Sequence, residues 1–254
     1  MQRVSTRIRV EEISEYLEAR LNPTEGYEND VCIYVKPDSF DQIKDGAYID
    51  ILDDAYAVKS LKDRPRLKVI AMSASHYDHL KKELPNEITL IPHHHINFER
   101  ATRTRKEIKV CGYVGPLSAF HRYESEGLKG LFEQLGLKFE PLFYYQTRQD
   151  IIDYYQTIDI QVIAYFNYHD RSPYRHPTKI FNAASFGIPT IAALTNGYKE
   201  AKHYYVPVND MRHLRKEVNK MQREEQYKVW TDRVAKKAEE YHISKIAKLY
   251  KNLR

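Results

Sequence analysis

The chain has 254 residues, room for one large domain or two small ones. Hydrophobic residues make up 42% and charged residues 30%, and no apolar run approaches the roughly 20 residues of a bilayer-spanning helix, so a soluble protein is expected. A net charge of +5 gives mild attraction to polyanions, which suits a nucleotide, a nucleic acid or an anionic membrane and selects none of them.

The opening MQRVSTRIRVEE is basic but lacks the apolar core of a signal peptide, so nothing in it marks the chain for export. Cys32 and Cys111 both sit in apolar, strand-like runs, and two buried thiols fit a reducing cytoplasm better than a disulfide framework. Residues 9–21 read as a first helix with Ile13, Tyr16 and Leu17 on one face. A polar turn at 22–30 leads to an apolar strand at 31–36, a short helical turn at 39–44 and a second strand at 47–52. Residues 67–73 and 88–91 are two more strands, separated by a helix at 74–84. Strands alternating with helices predict a mainly parallel sheet with crossover connections. Only four strands fit before residue 97, so this half is a compact layer without the usual opening strand.

Residues 99–109 (ERATRTRKEIK) are densely charged, lack apolar periodicity and follow Pro92-His93-His94-His95, which makes them the expected domain boundary. A second series then begins, with strands at 108–114, 139–145 and 158–166 and helices at 122–135 and 148–156. A short strand at 204–208 is followed by charged, helical sequence from 211 onward. The expected division is an N-terminal Rossmann-like domain (1–98), a basic hinge (99–109), a C-terminal Rossmann-like domain (110–222) and C-terminal helices (223–254).

The stretch RSPYRHPTKIFNAASFGIPTIAAL (171–194) organises the second half. Pro177 suits a helix entry, where its missing N–H would have no partner, and Gly187 suits the exit because it tolerates positive φ. A helix at 179–186 and a strand at 190–194 form half of a doubly wound unit, whose ligands collect at strand ends and helix N-termini.

PTKIFNAASFGIPTIAA resembles the donor-binding signature of two-domain, GT-B-type nucleotide-sugar glycosyltransferases of the group 1-like kind. Ser5-Thr6-Arg7-Ile8-Arg9 is similar to the Ser-x-Arg-x-Arg opening of many such enzymes. The acidic strand end at 47–54, the Ile91-Pro92-His93 turn and the VCGYVG loop at 110–115 agree in order and spacing. The resemblance implies an α/β fold of two facing Rossmann-like domains, the N-terminal one shortened, with a C-terminal helix crossing back. It also implies a hexosyltransferase-like transfer from a nucleotide-sugar, with UDP favoured, retention of configuration and no metal or other cofactor. The chain departs from the retaining branch where two glutamates stand eight positions apart: here those positions are Tyr174 and Asn182.

Loss of a nucleoside diphosphate needs cations and helix N-termini where charge develops. Lys179 at a helix start fits this role, with Arg171, Ser172 and Arg175 in the loop before it and Arg122 after the Gly112–Gly115 loop. The donor set is thus Gly112, Gly115, Arg122, Arg171, Ser172, Arg175, Lys179 and Asn182, with His94 and Lys179 as the catalytic candidates. Arg7, Arg9, His93 and His95 form the acceptor-side set, the alternative for each being an ordinary surface or hinge role. Adjacent histidines in an extended segment point to different faces, so 93–95 do not make a zinc site, and Asp50, Asp53 and Asp54 lack the usual spacing of a metal-binding acidic motif. Tyr144 or Tyr145 is a candidate to stack a nucleobase.

The acceptor is expected to be a saccharide. The alternative is DNA carrying hydroxymethylated bases, with Arg100, Arg103, Arg105 and Lys106 along its phosphates. Lysines of the last helices, from Lys236 to Lys251, suit peripheral membrane contact, and a non-catalytic nucleotide-binding protein is the third reading.

Overall fold

A computed structural model describes residues 7–105, 107–117, 122–164, 166 and 174–254, with the side chains of 122–125 outside the description. Two parallel sheets lie in sequence order. The first joins β1 (Ile33–Val35), β2 (Tyr48–Asp50), β3 (Lys68–Ala71) and β4 (Ile88–Leu90) in the order 1-2-3-4. Crossovers include α2 (Ala57–Lys62) and α3 (Ala74–Glu83). The second sheet has the order 6-5-7-8-9, from β5 (Val110–Val114), β6 (Lys138–Leu142), β7 (Ile160–Ile163), β8 (Thr190–Ala193) and β9 (Val206–Val208). Its helices are α4 (Arg122–Gln134), α5 (Arg148–Thr157), α6 (Thr178–Ser185) and α7 (Met211–Met221). Every strand pair is parallel. The edge strands β6 and β9 each carry a proline, Pro141 and Pro207, where a missing N–H breaks the fewest ladder bonds.

The N-terminal segment departs from the single helix expected at 9–21. Residues Arg7–Glu12 form a π-helical turn that runs into α1 (Ile13–Leu17), and Glu18, at φ 55°, ends it. A buried tether explains the irregularity. The Arg9 guanidinium meets Asp50 at 2.6 Å and donates to the carbonyls of Ile91 (2.7 Å) and Pro92 (3.1 Å), so this segment is tied to the ends of β2 and β4. A charge this deeply buried is tolerable only with such full pairing.

The hinge is held by Asp159, which is fully buried. Its carboxylate accepts from Arg103 (2.9 and 2.6 Å) and from the backbone N–H of Lys109 (2.6 Å) and Val110 (2.8 Å). Arg100 pairs with Glu239 at 3.0 Å, and Arg105 donates to the Thr157 carbonyl at 2.5 Å. The three hinge arginines expected to line a DNA backbone therefore have protein acceptors already; Lys106 lies outside the described residues.

Helix α8 (Glu224–Ala238) packs on α6, and the chain then crosses at a 3-10 turn, Glu239–Tyr241. The last helix, α9 (Ile243–Lys251), lies on the first domain, where Ile243, Ile246 and Tyr250 share a core with Ile13, Tyr48, Ile70 and Ile91. The C-terminal helices thus divide between the two domains, the last crossing back to the first. Among the described residues, no helix is long and apolar enough to cross a membrane.

Candidate functional site

The stretch that carries the donor signature folds as its residues dictate. Helix α6 begins just after Pro177 and buries Ile180, Phe181, Ala183 and Ala184. Gly187, at φ +71°, turns the chain toward β8 as its position predicts. The first turn of α6 therefore stands at the end of the sheet that faces the other domain.

There the two halves touch. The His93 ring, just past β4, lies 4.5 Å from the His176 ring, just before α6. His176 holds Thr178 Oγ1 through Nδ1 at 2.6 Å. The Lys179 ammonium lies 5.9 Å from the centre of the Tyr113 ring. Its stem covers Gly115, where an added Cβ would approach Lys179 Cε to 3.0 Å and overlap the Tyr113 hydroxyl. Gly115 has φ +156° and follows β5 directly. Burial pulls the Lys179 pKa down to about 8, aided by the charge of Arg175, and among the described residues no carboxylate pairs with it.

The His93, His176 and His76 imidazoles at this end are neutral at pH 7. Burial holds His93 well below its ordinary value, and His176 reinforces this. Burial lowers His176 to about 4, with the Lys179 charge as the next cause, and lowers His76 to about 3. Both ring nitrogens of His93 are buried without a hydrogen-bond partner among the described residues, and so is Nε2 of His76. Buried polar atoms of this kind are normally satisfied, by ligand or water where protein does not serve. Tyr174, at the position of the first missing glutamate, meets His79 Nε2 at 3.3 Å through its hydroxyl.

Several sequence candidates stand elsewhere. His94 Nδ1 lies 3.0 Å from the His95 carbonyl and Nε2 3.0 Å from the Ile8 carbonyl, so the ring is enclosed by backbone and its one N–H serves a carbonyl. His95 accepts from Asn97 N–H at 3.2 Å and faces His242 of the crossing segment at 5.4 Å. The three adjacent histidines do diverge, as an extended segment demands. Arg9 is the buried tether described above rather than an acceptor contact. Gly112 lies inside β5, where the Tyr154 hydroxyl and Ile158 fill the space a side chain would take, so close packing against α5 accounts for this glycine. Arg7 bridges the domains, donating to the Gln146 carbonyl at 3.0 Å. Asn182 Oδ1 accepts the Ile96 N–H at 3.2 Å, which fixes the linker to α6.

Arg171, Ser172 and the side chain of Arg122 lie outside the described residues. Arg175 is half-buried beside Lys179, and its backbone packs on Gly197. Tyr144, at the end of β6, is 77% exposed and open to a flat ligand. The residues missed from sequence are His76 and His176. His176 sits inside the signature, between Arg175 and Lys179, and its place before a helix was the available signal.

The fold is shared with solved glycosyltransferases. The pneumococcal O-GlcNAc transferase GtfA, in complex with UDP and GlcNAc, matches over 81% of this chain and 51% of its own, at 11% identity and TM-score 0.59. A TarM variant from S. aureus, with fondaparinux, α-GlcNAc-glycerol and UDP, matches over 82% and 50%, at 12% identity and TM-score 0.61. HepE from Anabaena, in complex with UDP-glucose, matches over 82% and 71%, at 13% identity and TM-score 0.56. The chain spans about half the length of the first two. No protein-family model and no curated protein sequence matches it. These likenesses give the chain the GT-B architecture of two facing α/β domains.

Proposed function

We propose that the protein transfers a sugar from a nucleotide-sugar, UDP-linked by preference, to a hydroxyl of a saccharide acceptor. The observation that carries this reading is the Lys179 ammonium, held at the first turn of α6 over the Gly115 turn with a second cation, Arg175, beside it and no carboxylate partner among the described residues. Two cations drawn together at a helix N-terminus between domains are complementary to a diphosphate, whose charge grows as the sugar departs. UDP or a UDP-sugar occupies the GtfA, TarM and HepE structures, which favours the same nucleotide here.

In this reading Lys179 and Arg175 neutralise the leaving diphosphate, which removes the need for a metal ion. Gly115 lets the phosphate approach the backbone, and Tyr144 stacks the base. His93 and His76 offer neutral nitrogens to sugar hydroxyls. Imidazoles held this far below neutrality are weak bases, which suits a retaining transfer better than one that needs strong deprotonation of the acceptor. A saccharide acceptor is preferred to DNA because Arg100, Arg103 and Arg105 are engaged by protein groups.

The test is a thermal-shift panel of UDP-, GDP-, dTDP- and CDP-sugars, followed by assay of free nucleoside diphosphate. The reading expects a UDP-sugar to raise the melting temperature and to release UDP when acceptor saccharide is added, and Lys179→Met to lose both. A stabilised complex that never releases UDP under any acceptor would leave a binding protein instead.

A further inference from the structure

A second cavity of about 840 Å³ opens between the domains, and none of Lys179, Gly115, His93 or His176 lines it. The 3-10 helix Asn196–Ala201 stands between the two sites. Its Gly197 packs on Arg175, while Asn196, Tyr198 and Lys199 face the second cavity. The same helix is fastened to α3: Ser75 Oγ donates to the Asn196 carbonyl at 2.5 Å, Glu200 accepts the Ala74 N–H, and Lys199 pairs with Asp78.

The charge of this cavity is one-sided. Among the described residues Asp78 is its only lining carboxylate, and Lys199 neutralises it. Lys82 from the first domain, with Lys202 and Arg233 from the second, then line the cavity with no carboxylate pairing to them among the described residues. The Arg233 guanidinium is held 4.8 Å over the Trp230 ring, which fixes its direction before any ligand arrives. Between these cations the wall is apolar, with Leu194 65% exposed beside Pro207. The volume is that of a small-ligand site, within the roughly 300–1,000 Å³ such sites occupy, which a nucleic-acid duplex does not enter.

We propose that this cavity is an acidic-saccharide site, taking a sugar unit that bears sulfate, phosphate or carboxylate groups and bridging the two domains through Lys82, Lys202 and Arg233. Pyranose C–H faces pack on the apolar wall, and the cations recognise the acidic substituents by charge-assisted hydrogen bonds. Its link to the acceptor rests on the transferase reading: the acidic unit would belong to the acceptor chain at a distance from the reacting hydroxyl. Binding itself does not depend on that reading.

Trp230 is the single tryptophan of the chain, so its emission reports on this cavity directly. The full chain is titrated with a sulfated hexasaccharide, with neutral maltohexaose and with inorganic sulfate at matched ionic strength. The expected result is a saturable emission change with the sulfated hexasaccharide, at an affinity at least tenfold above those of the other two. Lys82→Ala with Lys202→Ala, both at exposed positions, should weaken it about tenfold with unchanged thermal stability, and Lys179→Met should leave it intact. Absence of an emission change, an equal response to inorganic sulfate, or wild-type affinity in the double variant would overturn the proposal. Loss of the nucleotide-sugar response alone, with the Trp230 signal intact, would count against the transferase reading and not against this site.

Discussion

Lys179→Met separates the two consequences of a buried ammonium that has no carboxylate partner among the described residues. Its pKa falls from 10.5 to about 8 in the folded chain, so folding works against its charged form. At about 1.4 kcal/mol per unit, the ammonium costs at most about 3 kcal/mol of stability at pH 7. Methionine keeps the stem that covers Gly115 and removes the charge. The variant should therefore be more stable than the parent at pH 7, by about 1–3 kcal/mol, or several degrees in melting temperature for a chain of this size. The sign with pH follows from linkage. Between pH 8 and 10.5 the unfolded chain binds more protons at this lysine than the folded one, so the parent gains stability as pH rises through that window. The variant lacks this gain. Its affinity for a UDP-sugar should fall ten- to a hundredfold, the loss of about 1.5–3 kcal/mol for a charge-assisted hydrogen bond. Chemical denaturation at pH 7, 8.5 and 10 and calorimetric titration of UDP-glucose measure both. A variant that is less stable at pH 7 and binds donor as tightly as the parent would refute the reasoning.

Gly115→Ala should abolish the donor response, because the new methyl overlaps the Tyr113 hydroxyl and presses on Lys179; thermal shift with UDP-glucose reads it directly. Asp159→Asn leaves the Arg103 guanidinium, nearly buried, without a charged partner, and a loss of about 3–5 kcal/mol in denaturant unfolding is expected. Glu200 is pushed up to about 7 by burial, against the Ala74 N–H that it accepts. Its folded pKa lies above its unfolded one, so its contribution is fully present below about pH 4.5 and is lost as pH rises through 7. Glu200→Gln keeps an acceptor for Ala74 and should flatten that decline, which melting curves from pH 4.5 to 8 would show. His93→Ala should weaken sugar-specific binding while leaving affinity for UDP unchanged, a difference that titration with UDP and with UDP-glucose resolves.

The second domain was legible wherever local chemistry and tertiary demand agree. Pro177 before a helix, Gly187 after it and the small-residue face between them fix α6 and β8 to within a residue or so of their observed ends. The first helix was over-read because its apolar spacing continues past Leu17, while the force that shapes the segment is the remote pairing of Arg9 with Asp50. Sequence spacing carries no sign of that contact. For the same reason the arginines of the opening and the hinge read as ligand contacts: a cation looks alike in sequence whether its partner is a phosphate or a carboxylate elsewhere in the chain. The histidine run showed that its members diverge, but which one faces the cleft depends on how β4 meets the segment before α6. His76 was invisible because its role comes from complete burial at the start of α3, where its Nδ1 accepts the Met72 N–H at 3.3 Å.

The most direct measurement is calorimetric titration of the full chain with UDP-glucose and UDP at pH 7 and pH 9.5. If a lysine ammonium at the first turn of α6 holds the diphosphate, both ligands bind at pH 7, and the apparent affinity drops at pH 9.5 with proton uptake on binding. Absence of heat at either pH across the nucleotide-sugar panel, or binding with no proton uptake at pH 9.5, would contradict the account.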